Sequence, residues 1–449
     1  MRIMIVGAGM VGYHLSEKLS GEGQAVVLVD NDKGKLRRIE KDLNILTIHG
    51  SGASAKVLEE AGIHQTDLFI AVTDSDEVNL VACIMSNQYN VKTRIARVRN
   101  EDFYSQGVPL SEKALGIDLL ISPDLAMTDE IIKLSTRSDA FEIAEFADGQ
   151  VVLLGYELFK GNPRVGRSLS MLGELKGVVV AITREEETII PRGDDKIEAG
   201  DKIYLVTREK DISAVEDFFH FESRSPDKVF VIGGGSIGYL VARRMEQKNI
   251  SVTLVEKDAV HCEYLSEKLE KTVVLNCNGL EAHDLLEEGI DRADLVISVT
   301  DSDTTNILSS LLGKHHGATK CITHISRPDF VPLLGKLGID VALSPRQVAA
   351  NMILRFVRGG GTIVSVATLL GSDAEVIEIK VPDRDLFRDV PIKSLSFPRG
   401  AIVGAIVRNG GARQVLIPSG DTRLQPDDNL VIFFTKDALH AVEEYFAAE

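Results

Sequence analysis

Short, nearly unbroken apolar runs alternate along the first third of the chain with segments whose apolar residues recur every three or four positions. RIMIVGAG (Arg2–Gly9), AVVLVD (Ala25–Asp30), NILTIHG (Asn44–Gly50), DLFIAVTDSDE (Asp67–Glu77) and TRIARVRN (Thr93–Asn100) predict strands. Between them lie predicted helices at Met10–Gly23, with Val11, Leu15 and Leu19 on one stripe, around Lys35–Leu43, at Ser54–Ile63 and at Glu77–Asn90. LGIDLLISPDLAMTDEIIKLS (Leu115–Ser135) predicts a short sixth strand, a break at Pro123 and a departing helix. Apolar strands that lack alternation and are separated by helices predict a parallel sheet covered on both faces.

The pattern then changes. VVLLGYEL (Val151–Leu158), GVVVAITREEETIIP (Gly177–Pro191) and DKIYLVT (Asp201–Thr207) predict short strands, and DISAVEDFF (Asp211–Phe219) a closing helix. ESRSPD (Glu222–Asp227) is polar, carries Pro226 and predicts a linker. Beyond it the whole arrangement repeats. VTDSDEVN (Val72–Asn79) returns as VTDSDTTN (Val299–Asn306), and LGIDLLISP (Leu115–Pro123) as LGIDVALSP (Leu337–Pro345). IIPRGDDKIEAGD (Ile189–Asp201) returns as LIPSGDTRLQPDD (Leu416–Asp428). The expected fold class is therefore α/β, with two Rossmann-like, doubly wound parallel-sheet domains, each followed by a small α+β domain. The expected boundaries are 1–135, 136–223, 224–357 and 358–449.

The first strand of each half breaks into G-x-G-x-x-G, at Gly7, Gly9 and Gly12 and again at Gly233, Gly235 and Gly238. An acid closes the second strand of each half at the same distance, Asp30 and Glu256. In such a turn the first glycine allows a sharp exit from the strand and the second lets backbone N–H groups approach a pyrophosphate. The third lets the helix pack on the sheet, and the helix N-terminus favours negative charge. The acid accepts from ribose hydroxyls, which favours NAD(H) or an adenine nucleotide over NADP. Ligands in open α/β sheets lie beyond the carboxyl ends of the strands, so Thr73 and Asp74, with Thr300 and Asp301, are expected beside the nucleotide. Asp76 and Asn79, with Asp303 and Asn306, begin the next helix, where the alternative role is N-capping. Arg97 ends the fifth strand, either to meet phosphate or to form an ion pair at an edge, and His324 replaces it in the second half.

Composition narrows the function classes. A formal net charge of −17 argues against nucleic acid and anionic lipid, both of which call for a basic surface. Mean hydropathy is +0.05 and no apolar run reaches the ~18 residues that span a bilayer, so the chain is expected in the cytoplasm unless a partner recruits it. Cys83, Cys262, Cys277 and Cys321 are widely spaced and read as reduced, structural thiols; no metal site is expected. No catalytic set emerges, since each small domain carries a single histidine, His220 in the first and His440 in the second, both in terminal helices. Two nucleotide folds without a chemistry domain suggest a sensor.

With these residues laid out, the chain resembles the TrkA family, regulators built of two tandem RCK (regulator of K⁺ conductance) units. GAGMVG with Asp30, VTDSDEVNLVAC, TRIARVRN, the EAGD turn at Glu198–Asp201 and their second-half counterparts carry the resemblance over the full length. It implies a cytosolic ring, a homotetramer, docked peripherally under an integral-membrane K⁺ channel subunit of the Trk type. It also implies NAD(H) or ATP/ADP as a regulatory ligand that changes ring shape and channel opening. By position, the contacts would be Gly7, Ala8, Gly9, Met10, Val11, Asp30, Thr73, Asp74 and Arg97. Those of the second half would be Gly233, Gly234, Gly235, Ser236, Ile237, Glu256, Thr300 and Asp301. Two departures leave the nucleotide open. Gly50-Ser51-Gly52 and Asn276-Cys277-Asn278 stand where many relatives have G-D-A, and Met10 and Ser236 where some single-unit relatives carry an arginine. The alternatives are an NAD-dependent oxidoreductase and a ligand-sensing scaffold with another partner.

Overall fold

A computed structural model describes residues 1–446 apart from 101–102, 104–111, 186, 223, 328–329, 359–362, 369–373, 385 and 411. Glu186 in the expected strand stretch Gly177–Pro191 and Ser223 in the expected linker thus lie outside the described residues.

The chain divides into two compact units, residues 1–129 with 343–354, and residues 130–342 with 355–449. The first unit holds strands β1 (Arg2–Val6), β2 (Ala25–Asp30), β3 (Leu46–His49), β4 (Leu68–Ala71), β5 (Thr93–Arg97) and β6 (Leu119–Ile121). They form one parallel sheet in the order β3-β2-β1-β4-β5-β6. Its helices are α1 (Met10–Gly21), α2 (Lys33–Asp42), α3 (Ala55–Glu60), α4 (Asp76–Gln88), α5 (Glu112–Leu115) and the start of α6 (Pro123–Ser135). Pro123 is thus the first residue of a helix, where its missing N–H costs nothing. In β1 the residues from Ile3 to Val6 are all buried, because helices cover both faces of the sheet. The register of β1 pairs Val6 with Val29 on one side and with Ala71 on the other. The turn after β1 therefore lies between the ends of β2 and β4, where strand order reverses.

The second unit contains two antiparallel sheets and a second parallel one. β7 (Ala140–Phe146), β8 (Val151–Glu157), β9 (Gly177–Arg184), β10 (Glu187–Ile189) and β11 (Lys202–Arg208) form the first antiparallel sheet, followed by α7 (Ile212–Phe219). β7 was not apparent in the sequence pattern. The repeat of the parallel sheet comprises β12 (Lys228–Ile232), β13 (Ser251–Glu256), β14 (Val273–Asn276), β15 (Leu295–Ser298), β16 (Lys320–His324) and β17 (Val341–Leu343). It has the matching order β14-β13-β12-β15-β16-β17. Its helices are α8 (Ser236–Gln247), α9 (Ala259–Lys268), α10 (Ala282–Glu287), α11 (Asp303–His316), α12 (Val331–Lys336) and α13 (Pro345–Arg358). β18 (Ile363–Thr368), β19 (Ala374–Lys380), β20 (Ala401–Gly410), β21 (Ala412–Leu416) and β22 (Asn429–Thr435) make the second antiparallel sheet, and α14 (Leu439–Phe446) closes the chain. The end of α6 belongs to this unit, where the buried Lys320 Nζ donates to the carbonyls of Leu134, Arg137 and Ala140 at 2.7, 2.9 and 2.6 Å. Residues 343–354, spanning most of α13, belong to the first unit.

Antiparallel sheets commonly alternate apolar and polar residues, yet VVLLGY in β8 is apolar throughout. Both its faces are buried. Val151 and Leu153 join Val206 and Phe146 in a core shared with Val376, Val431 and Phe433 of the other antiparallel sheet. On the opposite face Tyr156 stacks on Phe221 at 4.0 Å and its hydroxyl donates to Glu216 of α7 at 2.6 Å. A bidentate ion pair recurs in both sheets: Arg184 on Asp201 and Arg408 on Asp428, each contact 2.8–2.9 Å. Each aspartate also accepts from the backbone of its own turn, at Glu198 N and Gln425 N. No helix among the described residues is long and apolar enough to cross a membrane.

Phe433 is fully buried and packs edge-on against Phe146 across the two antiparallel sheets. Phe433→Ala is expected to cost about 3–5 kcal/mol through lost burial and the cavity left behind, read as a lower urea midpoint in chemical denaturation.

Candidate functional site

β1 ends at Val6, and Gly7 turns the chain out of the sheet with φ 114°, a conformation that suits glycine. A Cβ there would lie 2.8 Å from Thr73 N, so the loop packs directly on the backbone after β4. Gly12 is tighter still: a Cβ would sit 1.8 Å from the Gly7 carbonyl oxygen. Gly9 is different, because a Cβ there meets nothing within 4 Å. It precedes α1, with no side chain capping the helix amides. The loop therefore presents unpaired backbone donors towards open space, the arrangement that receives anions.

That space is a cavity of about 890 Å³. Gly7, Ala8, Gly9, Met10 and Val11 line it, together with Asp30, Thr73, Asp74 and Arg97. Gly12 is buried beneath it. The Asp30 carboxylate is already engaged: Oδ2 accepts from Ala8 N at 2.5 Å and Oδ1 from Asp32 N at 2.8 Å. It holds the glycine loop to β2, a role additional to any ribose contact.

Thr73 and Asp74 lie beyond β4, which stops at Ala71, well short of the end of the Asp67–Glu77 stretch expected as strand. Nor do Asp76 and Asn79 cap α4: Ser75 Oγ does so, accepting from Val78 N at 3.2 Å. The buried Asn79 clamps the strand ends, accepting from Thr73 N at 2.9 Å and donating to the carbonyls of Thr73 and Arg97 at 3.0 and 2.9 Å. Asp76 accepts from Arg99 N and Asn100 N at 2.9 and 2.8 Å, pinning the chain after β5. In the second half Ser302 is the cap, Asn306 clamps Thr300 and His324, and Asp303 holds Ser326 N and Arg327 N.

Arg97 is 8% exposed, and its guanidinium donates to Asp74 Oδ1 at 3.2 Å and to Thr73 O at 3.3 Å. Its Nε is buried without a partner. Burial, then the neighbouring Arg99, lowers the pKa of this group, and the largely exposed Asp74 only partly offsets them. A buried guanidinium with an unsatisfied donor is poised for an anion. Lys35, Arg38, Arg99 and Arg346 also line the cavity, so among the described residues it gathers five cations against the three carboxylates of Asp30, Asp42 and Asp74. This surplus stands out in a chain of net charge −17. The sequence pattern did not single out Lys35, Arg38, Arg99 or Arg346.

The second glycine loop keeps the backbone and changes the charge. Gly233 turns with φ 109°, a Cβ on Gly238 would lie 1.9 Å from its carbonyl oxygen, and Gly235 again meets nothing within 4 Å. Gly234 N donates to Glu256 Oε2 at 2.9 Å, while Ser236 opens α8 and Ile237 is buried behind it. Thr300 lies against Gly233, and Asp301 is exposed beside it. His261 and Tyr264 stand where the first half has Lys35 and Arg38, and His324 and Ser326 where it has Arg97 and Arg99. The His261 ring Nε2 lies 2.9 Å from Gly234 O, and His324 Nδ1 3.2 Å from Thr300 O. The two loops are thus alike in backbone and unlike in the cations around them.

The TrkA-N domain family matches residues 3–123 and 229–345, and the TrkA-C domain family residues 155–220 and 376–447. The chain is 35% identical to Trk system potassium uptake protein TrkA homolog 1 of Methanosarcina mazei, with 99% of this chain and 100% of that protein covered. It is 36% identical to Trk system potassium uptake protein TrkA of Halomonas elongata, over 99% of this chain and 98% of that one. Among solved structures it is similar in fold to the GsuK channel bound to NAD. The TM-score is 0.62 and the identity 20%, over all of this chain and 79% of the other.

Asp30→Ala releases Ala8 N and Asp32 N from a charged acceptor, an interaction worth ~1.5–3 kcal/mol per bond. Amide hydrogen exchange across residues 7–12 is expected to quicken in the variant while exchange in β4 and β5 stays unchanged.

Proposed function

This chain belongs to the TrkA family of potassium uptake proteins, and we propose that it is a nucleotide-binding regulatory subunit that gates a membrane K⁺ channel subunit of the Trk type. The observation that carries this reading is the open face at Gly9. There, backbone donors and a surplus of cations border one cavity beside an acid suited to a ribose. The ligand is NAD(H) or ATP/ADP, bound to regulate and not turned over. Its contacts are Gly7–Val11, Asp30, Thr73, Asp74 and Arg97, with the Gly233–Ile237 loop, Glu256, Thr300 and Asp301 as the second set. Poorer in cations, the second loop is the weaker phosphate site. The chain is organised as domains 1–135, 136–223, 224–357 and 358–449, and four copies form a cytosolic ring held at the membrane through the channel.

A ligand moves a conformational equilibrium only through different affinities for the two states. Nucleotide filling the crevice between the ends of β2 and β5 favours one arrangement of the sheet edges, which the ring passes to the channel. A coupling of ~1–3 kcal/mol gives a 5–150-fold change in channel opening.

Gly9→Val is expected to fold, since its side chain enters open space, yet to block approach of a pyrophosphate. The variant should assemble and bind the membrane subunit while losing nucleotide-dependent K⁺ flux in proteoliposomes. Full retention of that response, with nucleotide shown absent from the first loop, would sink the first site as the switch. The carboxylates of Asp30 and Glu256 repel a 2′-phosphate, so NADH is expected to displace NADPH in direct competition. Tighter binding of NADPH would contradict the role given to both acids.

A further inference from the structure

Among the described residues, the cavity is lined by the first hundred residues and by Arg346, which arrives from the far end of the second parallel-sheet repeat. We propose that Arg346 is a phosphate-binding residue of the first nucleotide site. It grips a terminal phosphate beyond those met by the glycine-loop amides, so that a nucleoside triphosphate is bound by both halves of the chain at once. The inference rests on the cavity being a nucleotide site.

Three observations support it. The first is Arg346's position: it is the second residue of α13, after Pro345, with no acidic residue in the first turn. A cation there faces the positive end of the helix dipole, an arrangement that an anion held beside both stabilises. The matching residue of the first half, in α6, is Asp124, the kind expected at a helix start. The substitution of a cation for an acid at the same point of the repeat thus runs against local helix chemistry and towards the cavity.

The second observation is the buried Nε of Arg97 in the same cavity, which has no partner. An anion that satisfies it must penetrate beyond the glycine loop towards the end of β5. β2 and β5 are three strand spacings apart in the sheet, about 14 Å. A nucleotide whose ribose meets Asp30 therefore extends its phosphates across the loop towards Arg97 and Arg99. The third observation is chemical. The cation surplus of this cavity suits three phosphates better than the two of a dinucleotide, and guanidinium groups bind phosphate bidentately.

Arg346 also gives the nucleotide a hold on α13, whose residues up to Leu354 belong to the first unit and whose end belongs to the second. A phosphate bound by Arg346 pins the start of that helix. Occupancy of a site in the first half is thereby felt in the chain segment that leads into the second antiparallel sheet.

The test uses the full chain carrying Gly235→Val, which silences the second loop, and titrates ATP, ADP and NADH by calorimetry. Arg346→Asp places at α13 the residue type found at the matching point of α6, so thermal stability should hold or rise. ATP affinity should fall more than about tenfold, ADP affinity less, and NADH affinity under about threefold. Arg346→Lys should recover part of the ATP affinity. ATP should slow hydrogen exchange at residues 345–354 in the parent chain but not in Arg346→Asp. Unchanged ATP affinity in Arg346→Asp, where Gly9→Val abolishes binding, would overturn the role of Arg346 and leave the site standing. Equal losses for ATP and NADH would also overturn it, because they would mark an effect on cavity shape. Absence of nucleotide binding in the parent chain, or binding that survives Gly9→Val, would overturn the site and this inference together.

Discussion

Everything at the candidate site depends on one close backbone contact, the packing of Gly12 against the carbonyl of Gly7. Any side chain at Gly12 would place its first carbon 1.8 Å from that oxygen, so α1 lies on the turn only because nothing projects from it. The contact sets where the helix begins and which way its amides point. It leaves Gly9 at the rim with a bare backbone facing outwards. The register of β1 with β2 and β4 then delivers Asp30 on one side and Thr73 on the other without further adjustment. Gly238 and Gly233 repeat this constraint at 1.9 Å, which explains how two loops with different surroundings keep one geometry.

Backbone and charge have been free to change separately. The parts common to both halves act through main-chain groups: the glycine turn, the acid that accepts from the loop, the asparagine clamp, and the aspartate that pins the chain after the fifth strand. The parts that differ are side chains bordering the cavity. Lys35, Arg38, Arg97 and Arg99 give way to His261, Tyr264, His324 and Ser326. An ammonium and three guanidinium groups thus give way to two imidazoles, a phenol and a hydroxyl beside the same backbone turn.

Much of this was legible in the chain because it depends on local pattern. Unbroken apolar strands between amphipathic helices gave the parallel sheets, and glycine spacing with a terminal acid gave the loops. What escaped depends on partners distant in sequence. Asn79 at a helix start reads as a cap; its partners are the backbones of Thr73 and Arg97, which only the folded sheet brings within reach. Arg184 and Asp201 gave a signal that was available: both recur, as Arg408 and Asp428, inside a repeat already recognised. The unbroken apolar run of β8 likewise announced a strand buried on both faces, although not what covered it. Arg346 had no marker beyond a cation in the first turn of a helix, and nothing local ties it to a cavity formed by the first hundred residues.

The core shared by the two antiparallel sheets has a consequence for how the halves came to differ. Val151, Leu153 and Phe146 on one side, with Val376, Val431 and Phe433 on the other, form one core between two sheets of a single polypeptide. Separate copies of two diverging versions would pair like with like as readily as like with unlike, and mixed pairs would be diluted among the rest. Here both partners are translated as one polypeptide, so the unlike pair forms at a high effective concentration set by the linker and independent of expression level. Covalent fusion thus removes the stoichiometric problem of keeping an asymmetric pair intact. Each half can lose a property that the other retains, and every pair still contains one of each.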